Sequence, residues 1–176
     1  MRIISGTLKS RILKTPSKKS NVRPSTDRAR ESLFNILTNI FDFSDKIILD
    51  LYCGTGSLGI ESVSRGASYC YFIDVDTKLI NENISNLNLA AVSKIIRSDV
   101  LLFLKLHLNS DIDIAFADPP YSYSKYKELL NAVSKLNLVF VLEHNDKADL
   151  DEEYNIYLLL QKKIGYTYFT IYNFRK

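Results

Sequence analysis

The chain has 176 residues, 46% hydrophobic and 24% charged, with a net charge of +3; this suits one ordinary globular domain with a sizeable core and excludes a disordered or fibrous chain. The apolar runs 101–104 and 157–160 are too short to span a bilayer, and residues 1–6 carry no secretory core, so no membrane role is expected. Cys53 and Cys70 make no disulfide framework and lack metal-ligand spacing, which points to a reducing cytoplasm and to no metal.

In chain order, residues 1–24 alternate short apolar and basic stretches around Gly6 and Pro16, the pattern of a small hairpin or extended arm. Residues 1–30 hold nine Lys or Arg against one Asp, a net +8, which leaves the other 146 residues at −5. A basic segment on a mildly acidic body suits a polyanion, because phosphate neutralisation supplies most non-specific nucleic-acid affinity. Arg11, Lys14, Arg23, Arg28 and Arg30 are the candidate RNA contacts; the plainer reading is a solvated surface segment.

Pro24-Ser25-Thr26-Asp27 offers capping residues for a helix in which Ala29, Leu33, Phe34, Ile36, Leu37 and Ile40 recur at helical spacing. Strands are then expected over 47–51, 69–73, 94–97, 112–117 and 138–142, with helices over 57–64, 78–88, 101–106 and 126–136. Two tyrosine-rich strands, 156–161 and 168–172, close the chain. Alternating apolar strands and helices give a doubly wound α/β fold: a mostly parallel seven-stranded sheet, helices on both faces, and an antiparallel C-terminal edge. The expected plan is a basic arm and helix over 1–42, serving RNA, and a cofactor-binding domain over 43–176.

In such sheets ligands sit beyond the C-terminal strand ends. The first strand runs into Asp50-Leu51-Tyr52-Cys53-Gly54-Thr55-Gly56-Ser57-Leu58-Gly59, and Asp74 at the next strand end lies 20 residues after Gly54. Alone, this G-x-G-x-x-G pattern is a fingerprint for a dinucleotide such as NAD. Asp50, however, would oppose a pyrophosphate, whereas it could hold the amino-acid moiety of S-adenosylmethionine. Asp99, followed by Val100, closes the third strand where it could bond an adenine amine. A single Asp is as often a cap or turn residue; acids at four successive strand ends converge on one rim.

The fourth strand ends in Asp118-Pro119-Pro120-Tyr121. Two prolines fix φ twice, remove two donors and hold Asp118 and Pro119 extended. The stiff corner presents a carboxylate, a carbonyl and an aromatic ring, a set suited to a planar base with an exocyclic amine.

On these residues the chain resembles the class I S-adenosylmethionine-dependent methyltransferases, and more closely the RsmD family of 16S rRNA guanine-N2 methyltransferases. Arg2-Ile3-Ile4-Ser5-Gly6 and residues 23–37 match the family's opening, residues 50–59 its glycine loop, Asp118 to Tyr121 its amino-methyltransferase motif, and Val141-Leu142-Glu143-His144 its fifth-strand end. Ser25 stands where the family usually has threonine, and Asp74 where it usually has glutamate.

The resemblance implies a Rossmann-like methyltransferase that uses S-adenosylmethionine and acts, as a monomer, on 16S rRNA within a small ribosomal subunit or an assembly intermediate. It implies that Asp118, Pro119, Pro120 and Tyr121 act on the base. Asp50, Cys53, Gly54, Thr55, Gly56, Asp74, Asp99 and Val100 would hold the cofactor. Left open on the residues themselves are an amino-methyltransferase for DNA adenine or protein glutamine, an NAD-dependent oxidoreductase, and a non-catalytic RNA-binding module. His107 and His144 read as structural, with His144 also a candidate RNA contact at the rim.

Overall fold

Strand β1 (Ile47–Leu51) lies inside the sheet, bonded in parallel to β2 (Tyr69–Asp74) on one side and β4 (Ile114–Ala117) on the other. The structure, a computed structural model, describes residues 1–16, 27–106, 111–120 and 122–175. With β3 (Ser93–Arg97), β5 (Val139–His144), β6 (Leu158–Ile164) and β7 (Thr167–Asn173), the strand order is β3-β2-β1-β4-β5-β7-β6. β7 runs antiparallel to both β5 and β6. The chain reverses its winding between β1 and β4, so the rim above these two strands is where a crevice must open.

Strand alternation divides the core. Ile48, Phe72, Ile114 and Phe116 face one side, packed beneath α1 (Asp27–Leu37), α2 (Ser57–Ser64) and α3 (Lys78–Leu87). Leu49, Leu51, Ala115 and Ala117 face the other, beneath α4 (Val100–Leu106) and α5 (Tyr126–Val133). Successive side chains of one strand point to opposite faces, so runs such as Ile-Ala-Phe-Ala serve both layers at once.

Most expected elements lie within two residues of their observed limits. The exceptions are α1, which ends at Leu37 short of Ile40, α5, which ends at Val133, and β6, which runs Leu158–Ile164. Residues 156–157, expected as strand, belong to a 3-10 turn, Glu152–Tyr157, whose start is capped by the Asp151 carboxylate accepting from the Glu153 N–H. The cap gives the backbone a local alternative to the ladder.

Residues 1–13 form a small hairpin: Arg2 bridges Ile12, and Ile3 N–H donates to the Arg11 carbonyl at 2.9 Å. The hairpin is built into the body, since Ile3 and Leu13 enter the same core as Phe34 and Phe72. Buried Glu61 on α2 accepts from the N–H groups of Ile4 (2.7 Å) and Ser5 (3.1 Å) and from Arg65 Nε (2.8 Å). Gly6 lies at φ +81°, and a Cβ there would fall 1.7 Å from the Ser64 carbonyl oxygen.

Candidate active site

The loop after β1 turns sharply because three residues adopt left-handed backbone: Tyr52 (φ 55°), Gly54 (52°) and Gly56 (77°). At Gly56 a Cβ would lie 2.1 Å from Ile80 Cδ1, so the position demands glycine for space as well as conformation. Gly56 is also the residue before α2 and has no side chain to cap it. Asp50 supplies the missing acceptor: its carboxylate takes the Gly59 N–H at 2.9 Å.

This corrects the expectation for Asp50. By alternation it shares the α1–α3 face with Ile48, is 2% exposed, and lies beneath the loop rather than in the crevice. Burial pushes its carboxyl up to about 8, with the Gly59 bond pulling in the other direction. The Asp50 carboxyl thus serves as an internal cap of α2.

Above the β1/β4 rim opens a cleft of about 620 Å³, lined by Cys53, Gly54 and Thr55, by Asp74, by Asp99 and Val100, and by Asp118 and Pro120. Six of the eight expected cofactor residues therefore share one crevice with the Asp-Pro-Pro corner; Asp50 and Gly56 support it from below. Pro119 is buried at the corner, and Tyr121 falls outside the described residues. Asp74 accepts from Gly54 N–H at 2.8 Å and from Asp76 N–H at 3.0 Å, which fixes its carboxylate at the loop's mouth. Asp99 accepts from Leu102 N–H at 2.9 Å and so caps α4 while exposed on the rim. The Cys53 thiol is pushed well up by burial and by nearby Asp50, and so stays a neutral wall.

Residues not singled out by sequence complete the wall. The Tyr52 hydroxyl donates to the Tyr123 hydroxyl at 2.8 Å, with ring centroids 5.3 Å apart. Burial and this bond push the Tyr52 hydroxyl far up, so it stays protonated. The signal for Tyr52 was its place inside the glycine motif; for Tyr123, its place two residues past Tyr121. Met1 and Pro16 bring the basic arm to the cleft edge. Asn83 on α3 locks that approach: its amide donates to the carbonyls of Thr55 (2.9 Å) and Lys14 (3.1 Å), and its oxygen accepts from Lys14 N–H at 2.8 Å.

The candidate RNA contacts divide. Arg28 is exposed, as is Arg11, which reaches the Asn86 carbonyl, while Lys14 pairs with Glu82 at 3.0 Å. Arg30 is corrected: it is 1% exposed and donates to the Arg2 carbonyl and to Asp27, so it anchors the arm and presents nothing to a ligand. Arg23 and His107 lie outside the described residues. His144 is buried and bonded through both ring nitrogens, to the Asn145 carbonyl (2.7 Å) and the Thr170 hydroxyl (2.8 Å); burial lowers its pKa. It is structural.

A cofactor with two ribose hydroxyls and an adenine amine fits this site: carboxylates of Asp74 and Asp99 as acceptors on one wall, and a loop free of side chains at Gly54, in a volume typical of small-molecule sites. Among the described residues no group of His, Cys, Asp or Glu could hold a metal ion, and no helix is long and apolar enough to cross a membrane.

Residues 1–173 match the family model described as conserved hypothetical protein 95. A Buchnera aphidicola protein named ribosomal RNA small subunit methyltransferase D is 35% identical, over 92% of this chain and 86% of its own. Its Haemophilus influenzae namesake is 31% identical, over 98% and 93%. Among solved structures, an Escherichia coli protein assigned as the methyltransferase yhhF superposes with a TM-score of 0.81 at 28% identity, covering 98% and 97% of the two chains. A magnesium protoporphyrin IX methyltransferase from Synechocystis, solved with S-adenosylmethionine bound, shares the fold at a TM-score of 0.63 and 16% identity, covering 85% and 79%. The dinucleotide reading of the glycine loop gives way to these likenesses. The chain belongs to the conserved hypothetical protein 95 family, the RsmD family, and is an S-adenosylmethionine-dependent methyltransferase.

Proposed function

We propose that this protein methylates the exocyclic N2 amine of one guanine in 16S rRNA, acting as a monomer on a small ribosomal subunit or an assembly intermediate. The observation that carries the reading is the sharing of one cleft by the glycine loop, Asp74, Asp99 and the Asp118 corner. The names of the Buchnera and Haemophilus relatives support rRNA as the substrate, and the +8 charge of residues 1–30 suits it.

S-adenosylmethionine, when bound, supplies an electrophilic methyl on sulfur. The guanine amine is a weak nucleophile because its lone pair is delocalised into the ring. In this reading the Asp118 carboxylate and the Pro119 carbonyl accept the two amine hydrogens and turn the lone pair toward the methyl. On accepting the methyl the amine would lose one proton, which Asp118 would pass to water. Rate comes from alignment and fixed charge rather than from a strong base. Tyr121 would stack on the base, which must leave its own stack to enter. Asp74 and Asp99 would hold ribose and adenine, with Cys53, Gly54, Thr55 and Val100 shaping the wall.

The test is to incubate the protein with methyl-labelled S-adenosylmethionine and either bare 16S rRNA or small subunits from cells lacking it, then map the product by mass. One N2-methylguanine is expected, formed faster on particles. Label on adenine, on protein or nowhere overturns the reading.

A further inference from the structure

The edge hairpin β6–β7 has no role in the chemistry above, yet its turn lies on the active-site rim. Register places it there. Ala117 pairs with Leu142, Glu143 with Phe169, and Phe169 with Lys162. Asp118 is therefore level with Glu143 and Lys162, three inter-strand spacings away, about 14 Å. Lys163 and the turn at Gly165 and Tyr166 project further beyond the same rim.

Three features of this hairpin suit one ligand class. Tyr166, at the turn, is 83% exposed. Lys162 and Lys163 are exposed, and among the described residues neither is in an ion pair. Lys163 Nζ lies 5.2 Å from the Tyr168 ring, which stacks on His144 at 5.6 Å. From there the contacts run back to the cleft through Tyr126 (6.5 Å), Tyr123 (5.1 Å) and Tyr52 (5.3 Å). The hairpin is thus braced on the cleft wall itself. Lys125, on the same side, lines the cleft. Cations for phosphates beside a ring for a base make up a single-strand contact.

We propose that the β6–β7 hairpin is a second RNA contact: Lys162 and Lys163 hold phosphates, and Tyr166 stacks on a nucleotide flanking the target. The basic arm meets the cleft edge at Met1 and Pro16, on the loop side, and the hairpin stands beyond β5 and β7 on the other. The substrate strand then crosses the rim between two cationic supports with the target base lowered at Asp118. This rests on the reading of the substrate as rRNA.

The test uses the whole protein with rRNA or particles lacking the modification, comparing wild type with Lys162→Glu/Lys163→Glu and with Tyr166→Ala. The double variant is expected to raise the KM for RNA about tenfold and to flatten the dependence of log affinity on log salt by about 0.7 per lost phosphate contact. Tyr166→Ala should raise KM about fivefold with the salt slope unchanged. S-adenosylmethionine affinity should stay at the wild-type value for both, showing an intact fold. An unchanged KM in the double variant overturns the hairpin assignment while wild-type rRNA methylation upholds the substrate. A raised KM with an unchanged salt slope overturns it in favour of a protein partner on the particle. A parallel loss of cofactor affinity overturns it as a folding effect. Wild type that methylates no rRNA overturns the substrate reading and the hairpin with it.

Discussion

Tyr52 and Tyr123 join their hydroxyls at 2.8 Å and so tie the end of β1 to the segment that follows the Asp-Pro-Pro corner. Tyr52 holds a left-handed backbone (φ 55°) to do so. The bond links the glycine-loop side of the cleft to the Asp118 side. Tyr52→Phe keeps the ring and removes the donor. Loss of a hydrogen bond of about 1 kcal/mol, felt in the alignment of the two reactants, lowers kcat roughly fivefold. Steady-state kinetics should show this with the affinity for S-adenosylmethionine unchanged; an unaltered kcat refutes a positioning role for the pair.

Asp118 stands on the rim of the same cleft. Asp118→Ala removes the carboxylate that is to orient the amine, and kcat should fall by about 100- to 1000-fold, the usual cost of losing one fixed charge at a reacting centre. Asp118→Asn retains one acceptor and should fall less. Equilibrium binding of S-adenosylmethionine is the control: a matching loss of affinity there would mean that Asp118 serves the cofactor instead.

Asp50 gives the fold a pH dependence of known sign. Its carboxyl sits at about 8 when folded, against 3.8 in the unfolded chain. Between these values the folded state keeps a proton that the unfolded state has released. The stability due to this group is therefore full below pH 4 and is lost as pH rises through 8. Asp50→Asn retains an acceptor for the Gly59 N–H and abolishes the titration. The variant should gain steadily on wild type as pH rises from 4 towards 8. Urea denaturation across that range checks it, and a flat difference sinks the idea.

Glu61 accepts from Ile4 N–H, Ser5 N–H and Arg65 while fully buried. Glu61→Ala strands two backbone donors and a cation, a change that costs about 3–5 kcal/mol. The denaturation midpoint should drop accordingly, and cleavage by a protease should appear first within residues 1–13. A loss below 1 kcal/mol would show that the hairpin docks by Ile3 and Leu13 alone.

The strands and the glycine loop were legible because period-2 and period-3.6 patterns and positive-φ glycines are local signals. The Asp118 corner was legible for the same reason, since two prolines act on their own neighbours. What escaped needs the third dimension. Whether Asp50 faces ligand or interior depends on which sheet face its strand position takes, and that is set by Ile48 and Phe116 packing under α2. Arg30 reads as one more cation in a basic run, yet it is 1% exposed and held by Asp27 and the Arg2 carbonyl. The Tyr52–Tyr123 bond joins residues 71 apart. No windowed pattern contains it.

Asn83 holds Thr55 of the glycine loop and Lys14 of the arm with one amide. In the proposed reading, with cofactor at the glycine loop and RNA on the arm, the two ligands would lean on the same post from opposite sides. Any stiffening of Asn83 by the first to arrive is free energy that the second need not spend. Thermodynamic reciprocity then makes the effect mutual: the factor by which cofactor tightens RNA is the factor by which RNA tightens cofactor. On that reading a single buried amide would give a protein of this size a route to cooperativity between its substrates without a moving domain.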